Sequence, residues 1–172
     1  VDGRESEAAL LSDGYCRLVN IVMDIAFRCA LLNKAMFGEQ CYKHTHGTVI
    51  IDEIDEHLHP ALQVRVLKAL QDTFPKIQFI VSTHAPLVMS SVEPRKDEKG
   101  NDINVVYKLE YSDGKYSHKE LNIYGMDAST IIETYMGQPS RDLKVNTDIK
   151  TILELIDKGD IQTARKLLKE SC

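Results

Sequence analysis

The spacing of hydrophobic positions changes along the chain, and each change predicts a new element. Residues 1–10 are polar and acidic and lead into Leu11-Ser12-Asp13-Gly14-Tyr15, a Ser-Asp-Gly turn cluster. Over 16–32 the pattern is helical. Asn20, Asp24 and Arg28 recur at spacing four and form a single polar stripe. That predicts a mostly buried helix with Asp24 and Arg28 paired along the stripe. Residues 33–47 read as a helix end and a loop. Residues 48–52, Thr-Val-Ile-Ile-Asp, carry an apolar run without alternation, the pattern of a strand covered on both faces.

Pro60 suits a first helical position, and Leu62, Val66, Leu67, Leu70 and Phe74 follow at helical spacing until Pro75 ends the run. Residues 77–82 predict a second buried strand ending in Ser82-Thr83-His84, and Pro86 opens a short helix. Strand, helix and strand within about 35 residues predict a βαβ unit and a parallel sheet. A charged loop over 93–102 is polar enough to be mobile. Residues 103–121 predict two strands around an Asp113-Gly114 turn. Residues 124–137 predict a loop with a short helix. From Asp148 two amphipathic helices follow, the first closed by Gly159 and the second capped by Asp160. The expected class is α/β: a parallel βαβ core, a β-hairpin and C-terminal helices.

Composition narrows the class. With 172 residues, 43% hydrophobic and 27% charged, the chain has the balance of a globular domain with a core. The net charge of −5 argues against a surface devoted to nucleic-acid phosphate, although a local basic patch remains compatible with DNA as a partner. Asn20, Asp24 and Arg28 break the longest apolar run, so no membrane span is expected. No signal peptide is visible, because the first residues are acidic and polar. Cys16, Cys29, Cys41 and Cys172 form no regular framework and read as reduced thiols of a cytoplasmic protein.

The candidate chemistry lies at the strand ends, where parallel sheets gather ligands. One end supplies Asp52 and Glu53, the next Ser82, Thr83 and His84. An apolar strand ending in Asp-Glu is the pattern of a Walker B motif. Its Asp serves Mg²⁺ on a nucleotide, and its Glu can accept a proton from an attacking water. A His at the neighbouring strand end can donate a hydrogen bond to a γ-phosphate.

In order along the chain, these segments resemble the C-terminal half of an ABC-type, AAA-like P-loop ATPase. The branch is related to SMC, RecF and OLD-type proteins and includes the ATPases of Septu-type and retron-linked anti-phage systems. Leu11 to Tyr15, followed by Arg17, resemble the ABC signature. Val49 to Glu53 resemble Walker B, Ile54 to Pro60 the D-loop, and Thr83-His84-Ala85-Pro86 the H-loop. Residues 124–142 resemble a stretch near the end of the same family. That places an ATPase part at 1–142 and a helical hairpin at 143–172. The resemblance implies ATP and Mg²⁺ as cofactors, with Asp52 orienting the metal, Glu53 as general base and His84 at the γ-phosphate. It also implies a homodimer in which Ser12 and Gly14 complete the partner's ATP site and Asp55 lies at the seam. An effector nuclease is a further implied partner.

The phosphate loop of this family, G-x-x-x-x-G-K-[ST], does not occur. Gly114-Lys115 lies in the hairpin turn, and position 109, where the leading Gly belongs, is Leu. The chain opens on Val1 without Met just before the signature, so a piece of a longer ATPase is expected. Such a piece alone should bind ATP weakly and not turn it over. Two other readings stay open. Glu53 and Asp55 could serve a metal-dependent nuclease of the Toprim kind, or the chain could be a non-catalytic dimerisation or docking module. The Cys41, His44, His46, His57 and His59 set invites zinc but matches no ligand spacing. Asp55 and Glu56 also read as solvated acids at a helix start.

Overall fold

The computed structural model describes residues 12–141 and 143–170, and it confirms the α/β class. The chain divides into two compact units, Val1–Asp127 and Ala128–Cys172. The resemblance drew its line at 142 on motif grounds, and residue 142 itself lies outside the described residues.

The first unit begins with helix α1 (Asp13–Phe37). It runs beyond the predicted span at both ends, and Gly38 closes it at φ 56° by returning its N–H to the Lys34 carbonyl. A short 3₁₀ turn at Gly38–Gln40 and helix α2 (Cys41–His44) lead into strand β1 (Gly47–Ile51). Pro60 opens α3 (Pro60–Gln63) as expected, with the His59 side chain accepting the Ala61 N–H at 3.2 Å. The predicted single helix is broken there. Arg65 turns its N–H back to the Leu62 carbonyl at 3.0 Å, three residues earlier, and α4 (Val66–Thr73) starts afresh. Val66, Leu70 and Phe74 still fall on one buried face.

Strand β2 (Ile77–Val81) pairs parallel with β1, Gly47 opposite Ile77 through Ile51 opposite Val81. Helix α5 (Pro86–Ser90) follows. One core holds Ile25 and Cys29 of α1, Cys41, Ile51, Ile54, Leu58, the α4 face, Ala85 and Val88. Burying each such aliphatic side chain stabilises by about 1.5–3 kcal/mol.

Two burial expectations need correction. Strand β1 is covered on one face only among the described residues: Val49 packs on the core side, whereas Ile50 is 76% exposed and Ile80 of β2 is 49% exposed. Strand pleating sends Ile50 to the face opposite Val49 and Ile51, away from that core. Helix α1 is likewise not mostly buried. Ile25 and Cys29 face the core, while Met23, Phe27 and Leu31 form an exposed apolar stripe beside the polar one. A helix laid on a two-stranded sheet can turn only one side to it. The Arg28–Asp24 pair does form, at 2.8 Å. Beside it, Asp24 raises the Arg28 guanidinium pKa above its ordinary value through a hydrogen bond and through charge.

The loop over 93–102 is not featureless. Asp97 accepts N–H groups from Lys99 and Asn101, each at 2.8 Å, and Lys96 bridges to Asp102. The Asn101 side chain, with those backbone donors, holds the Asp97 carboxyl below its usual value. Strands β3 (Val106–Ser112) and β4 (Lys115–Leu121) then form the expected antiparallel hairpin. Asp113 and Gly114 sit at φ 51° and 76°, the left-handed pair that a two-residue hairpin turn requires.

The second unit contains α6 (Ala128–Thr134) and two paired helices, α7 (Leu143–Asp157) and α8 (Ile161–Glu170). Helix α7 starts before the expected Asp148. Gly159 adopts φ 79° at the break, and Asp160 caps α8 by accepting the Thr163 N–H at 3.1 Å, both as the pattern predicted. Among the described residues no helix is long and apolar enough to cross a membrane.

Candidate functional site

The parallel register fixes the site. Because Ile51 lies opposite Val81, the next residues outward are Asp52 on one strand and Ser82 on the other. The ladder continues just past the strands: Ser82 donates its N–H to the Ile51 carbonyl at 3.0 Å, and Ile54 donates to the Ser82 carbonyl at 3.1 Å. Two short apolar segments thereby bring their polar ends together at one edge.

Side chains lock the junction. The Ser82 hydroxyl donates to Asp52 Oδ1 and accepts the Glu53 N–H at 2.8 Å. The Thr83 hydroxyl donates to Asp55 Oδ1 and accepts the Ala85 N–H at 3.0 Å. Glu53 adopts φ 49°, in the left-handed region, where a non-glycine residue is strained unless its surroundings hold it. Its peptide groups are held on both sides. Ser82 takes its N–H, and Arg17 of α1 donates to its carbonyl at 2.9 Å. Arg17 also donates to the Asp52 carbonyl at 3.1 Å and pairs with the Glu56 carboxylate.

Asp52, Glu53 and His84 are exposed and Asp55 is half-buried. The acids at 52 to 56 thus fan out instead of facing one another: Asp52 turns to Ser82, Asp55 to Thr83, and Glu56 to Arg17. His84 follows directly, with no hydrogen bond to the three acids Asp52, Glu53 and Asp55 among the described residues. A magnesium ion shared with phosphates needs one or two protein carboxylates, and Asp52, with Oδ1 on Ser82, keeps Oδ2 for it. The donor set fits that group. No cluster of three or more His, Cys, Asp or Glu side chains suited to a metal occurs among the described residues.

The signature-like turn meets the same loop from the other side. Ser12 precedes α1 with an extended backbone (ψ 155°), and its hydroxyl makes no capping hydrogen bond. Leu11 lies outside the described residues. Gly14 is buried with its α-carbon against the carbonyl of His57: a Cβ there would lie 2.2 Å from that oxygen. Only glycine permits this approach. His57 itself is at φ 60°. So Asp52, Glu53, Asp55, Ser82, Thr83 and Gly14 belong to one assembly, with Ser12 and His84 on its exposed rim.

Sequence reasoning placed Ser82 at the neighbouring strand end and Arg17 just after the signature-like turn, but it gave neither a contact. Arg17 lies one helical turn beyond Gly14, and a cation there reaches the loop that Gly14 touches. Ser82 is found once the register is known, because it takes the place opposite Asp52.

A βαβ unit that delivers an Asp-Glu pair and a Ser-Thr-His run to neighbouring strand ends has the architecture of a P-loop ATPase core. The particular family follows from the sequence itself. Residues 2–90 match the model of the family described as "AAA domain, putative AbiEii toxin, Type IV TA system", and the chain belongs to it. Among curated relatives, 108 residues are 40% identical to the "Retron Vc95 probable ATPase" of Vibrio cholerae serotype O1 biovar El Tor, covering 63% of this chain and 20% of that protein. The "Retron Ec83 probable ATPase" of Escherichia coli is 41% identical over 83 residues, 48% of this chain and 15% of the relative. The "Septu protein PtuA" of Bacillus mycoides (strain KBAB4) is 31% identical over 134 residues, 75% of this chain and 17% of the relative. The matched part of the chain therefore spans 20%, 15% and 17% of the length of these relatives. A solved structure described under "ATP-driven dimerization and DNA stimulated activation of SMC ATPases" aligns with TM-score 0.46 and 19% identity, covering 79% of this chain and 68% of its own.

Proposed function

We propose that this chain is the strand-end half of an ATP-binding and ATP-hydrolysing site in a larger cytoplasmic ATPase. The observation that carries the reading is the register of β1 and β2, which sets Asp52-Glu53 beside Ser82-Thr83-His84 in a chain of the AAA domain family. Asp52 would hold Mg²⁺, with the Ser82 hydroxyl setting the orientation of its carboxylate. Glu53, exposed and fixed at its backbone from both sides, accepts the proton of the attacking water. His84 donates to the γ-phosphate. When bound, Mg²⁺ neutralises charge building on the phosphates. The chain's own groups orient the nucleophile and hold its proton at the Glu53 carboxylate.

Ser12 and Gly14, at the N-terminus of α1, complete the ATP site of a second protomer, where free N–H groups and the helix dipole suit a phosphate. Asp55 and the following His57-to-Pro60 segment lie at the seam of that homodimer. The phosphate loop is supplied from outside these 172 residues. Relatives named retron ATPase and Septu protein support a role in anti-phage defence; an effector nuclease as partner rests on the sequence resemblance alone.

Glu53→Gln in the full protein tests the reading. Steady-state ATP hydrolysis should fall by about 100-fold or more while nucleotide binding persists. Intact ATPase activity with loss of DNA cleavage would instead support the Toprim-type reading, and unchanged activity of both kinds a non-catalytic module.

A further inference from the structure

We infer that Ser82 is a positioning residue for the Mg²⁺-nucleotide end of this site, an inference that rests on the ATPase reading above. A hydroxyl has one proton to donate and two lone pairs to accept with. Ser82 uses both capacities on the two residues that matter. Its proton goes to Asp52 Oδ1, and its oxygen takes the Glu53 N–H at 2.8 Å. One side chain therefore sets the rotation of the metal-facing carboxylate and the backbone of the general base.

Three facts show why this contact matters. Ser82 lies just past the end of β2, thirty residues from Asp52, and its own N–H and carbonyl are tied to Ile51 and Ile54, so the hydroxyl is presented from a fixed frame. Glu53 sits at φ 49°, a conformation its own chemistry does not favour, and the Ser82 oxygen is one of the two groups that hold it there. With Oδ1 engaged by a donor, Asp52 offers Oδ2 in a defined direction. Partners that orient a metal-binding carboxylate typically contribute 10- to 100-fold in metal affinity or activity. Thr83, the next residue, makes the same kind of double contact, but to Asp55 and Ala85.

The test uses the full protein with Ser82→Ala, Ser82→Thr and Thr73→Val, and a fluorescent ATP analogue titrated with Mg²⁺. Ser82→Ala should raise the Mg²⁺ concentration for half-maximal nucleotide binding about tenfold and lower turnover by about 10- to 100-fold. Binding of the analogue in EDTA should not change. Ser82→Thr should restore both values to within about threefold of wild type, and Thr73→Val, which removes a hydroxyl bonded to the Ala69 carbonyl within α4, should leave the Mg²⁺ requirement unchanged. If Ser82→Ala does not fold, Ser82→Cys keeps the volume with a weaker donor and should show the same shift. A wild-type Mg²⁺ requirement in Ser82→Ala, or a threonine variant as defective as alanine, overturns the inference. Failure of the ATPase reading looks different: there Glu53→Gln hydrolyses ATP like the wild type, whatever Ser82 does.

Discussion

At the scale of single residues, the candidate site depends on close contacts between a few named groups. Gly14 is the sharpest case, because its neighbour is a backbone carbonyl and not a flexible side chain. In Gly14→Ala the methyl group must displace the His57–Leu58 backbone, an overpacking that costs about 1–3 kcal/mol. Chemical denaturation should show that loss, and a midpoint equal to wild type would mean the turn and loop do not touch as described. The same contact explains the glycine of the signature-like turn without any ligand. Its steric role lies within one protomer, and whatever it does across a dimer is additional. Arg17 acts on the same loop by charge. Hydrogen bonds to two consecutive carbonyls let one guanidinium fix the peptide on either side of Glu53.

At the scale of elements, much of the fold was readable because each signal had one physical meaning. The apolar runs ahead of Asp52 and Ser82, short and rich in β-branched residues, read as strands beside a core. Asp113-Gly114 demanded a hairpin turn, and Gly159-Asp160 demanded a stop and a start. Burial was not readable, because a continuous apolar run looks the same whether both faces or one is covered. Ile50 and Val49 are equally apolar, and only the tertiary structure exposes the first and packs the second. The site was half legible: the acids announced themselves, while Ser82 and Arg17 needed the strand register and the helix phase. The α7–α8 pair carries its own pH signature. Thr163, through its side chain and its N–H, holds the Asp160 carboxyl below the usual value. A lowered folded pKa means the cap is fully in force above the unfolded pKa and is lost as pH falls through the folded one. Helicity of α8, followed by circular dichroism or amide shifts, should therefore decline on acidification through the carboxylate range. Asp160→Ala should be less helical at neutral pH and lack that component; an α8 unchanged across the range in both proteins would show the cap to be idle.

At the scale of the whole molecule, the chain gathers its candidate site residues at one end of a very small sheet. Two strands suffice to align Asp52 with Ser82, and one long helix brings Gly14 and Arg17 onto the loop between them. In the first unit apolar side chains stay exposed: Ile50 and Ile80 on the sheet, and Met23, Phe27 and Leu31 along α1. In the proposed ATPase these 172 residues contribute the acids and the signature turn, and the phosphate loop comes from elsewhere. The most direct measurement is the identity of the nucleotide retained by the full protein carrying Glu53→Gln after incubation with ATP and Mg²⁺ and passage through a sizing column. The account predicts intact ATP eluting with a particle of dimer mass. Elution with ADP alone, or with no nucleotide at all, would contradict it.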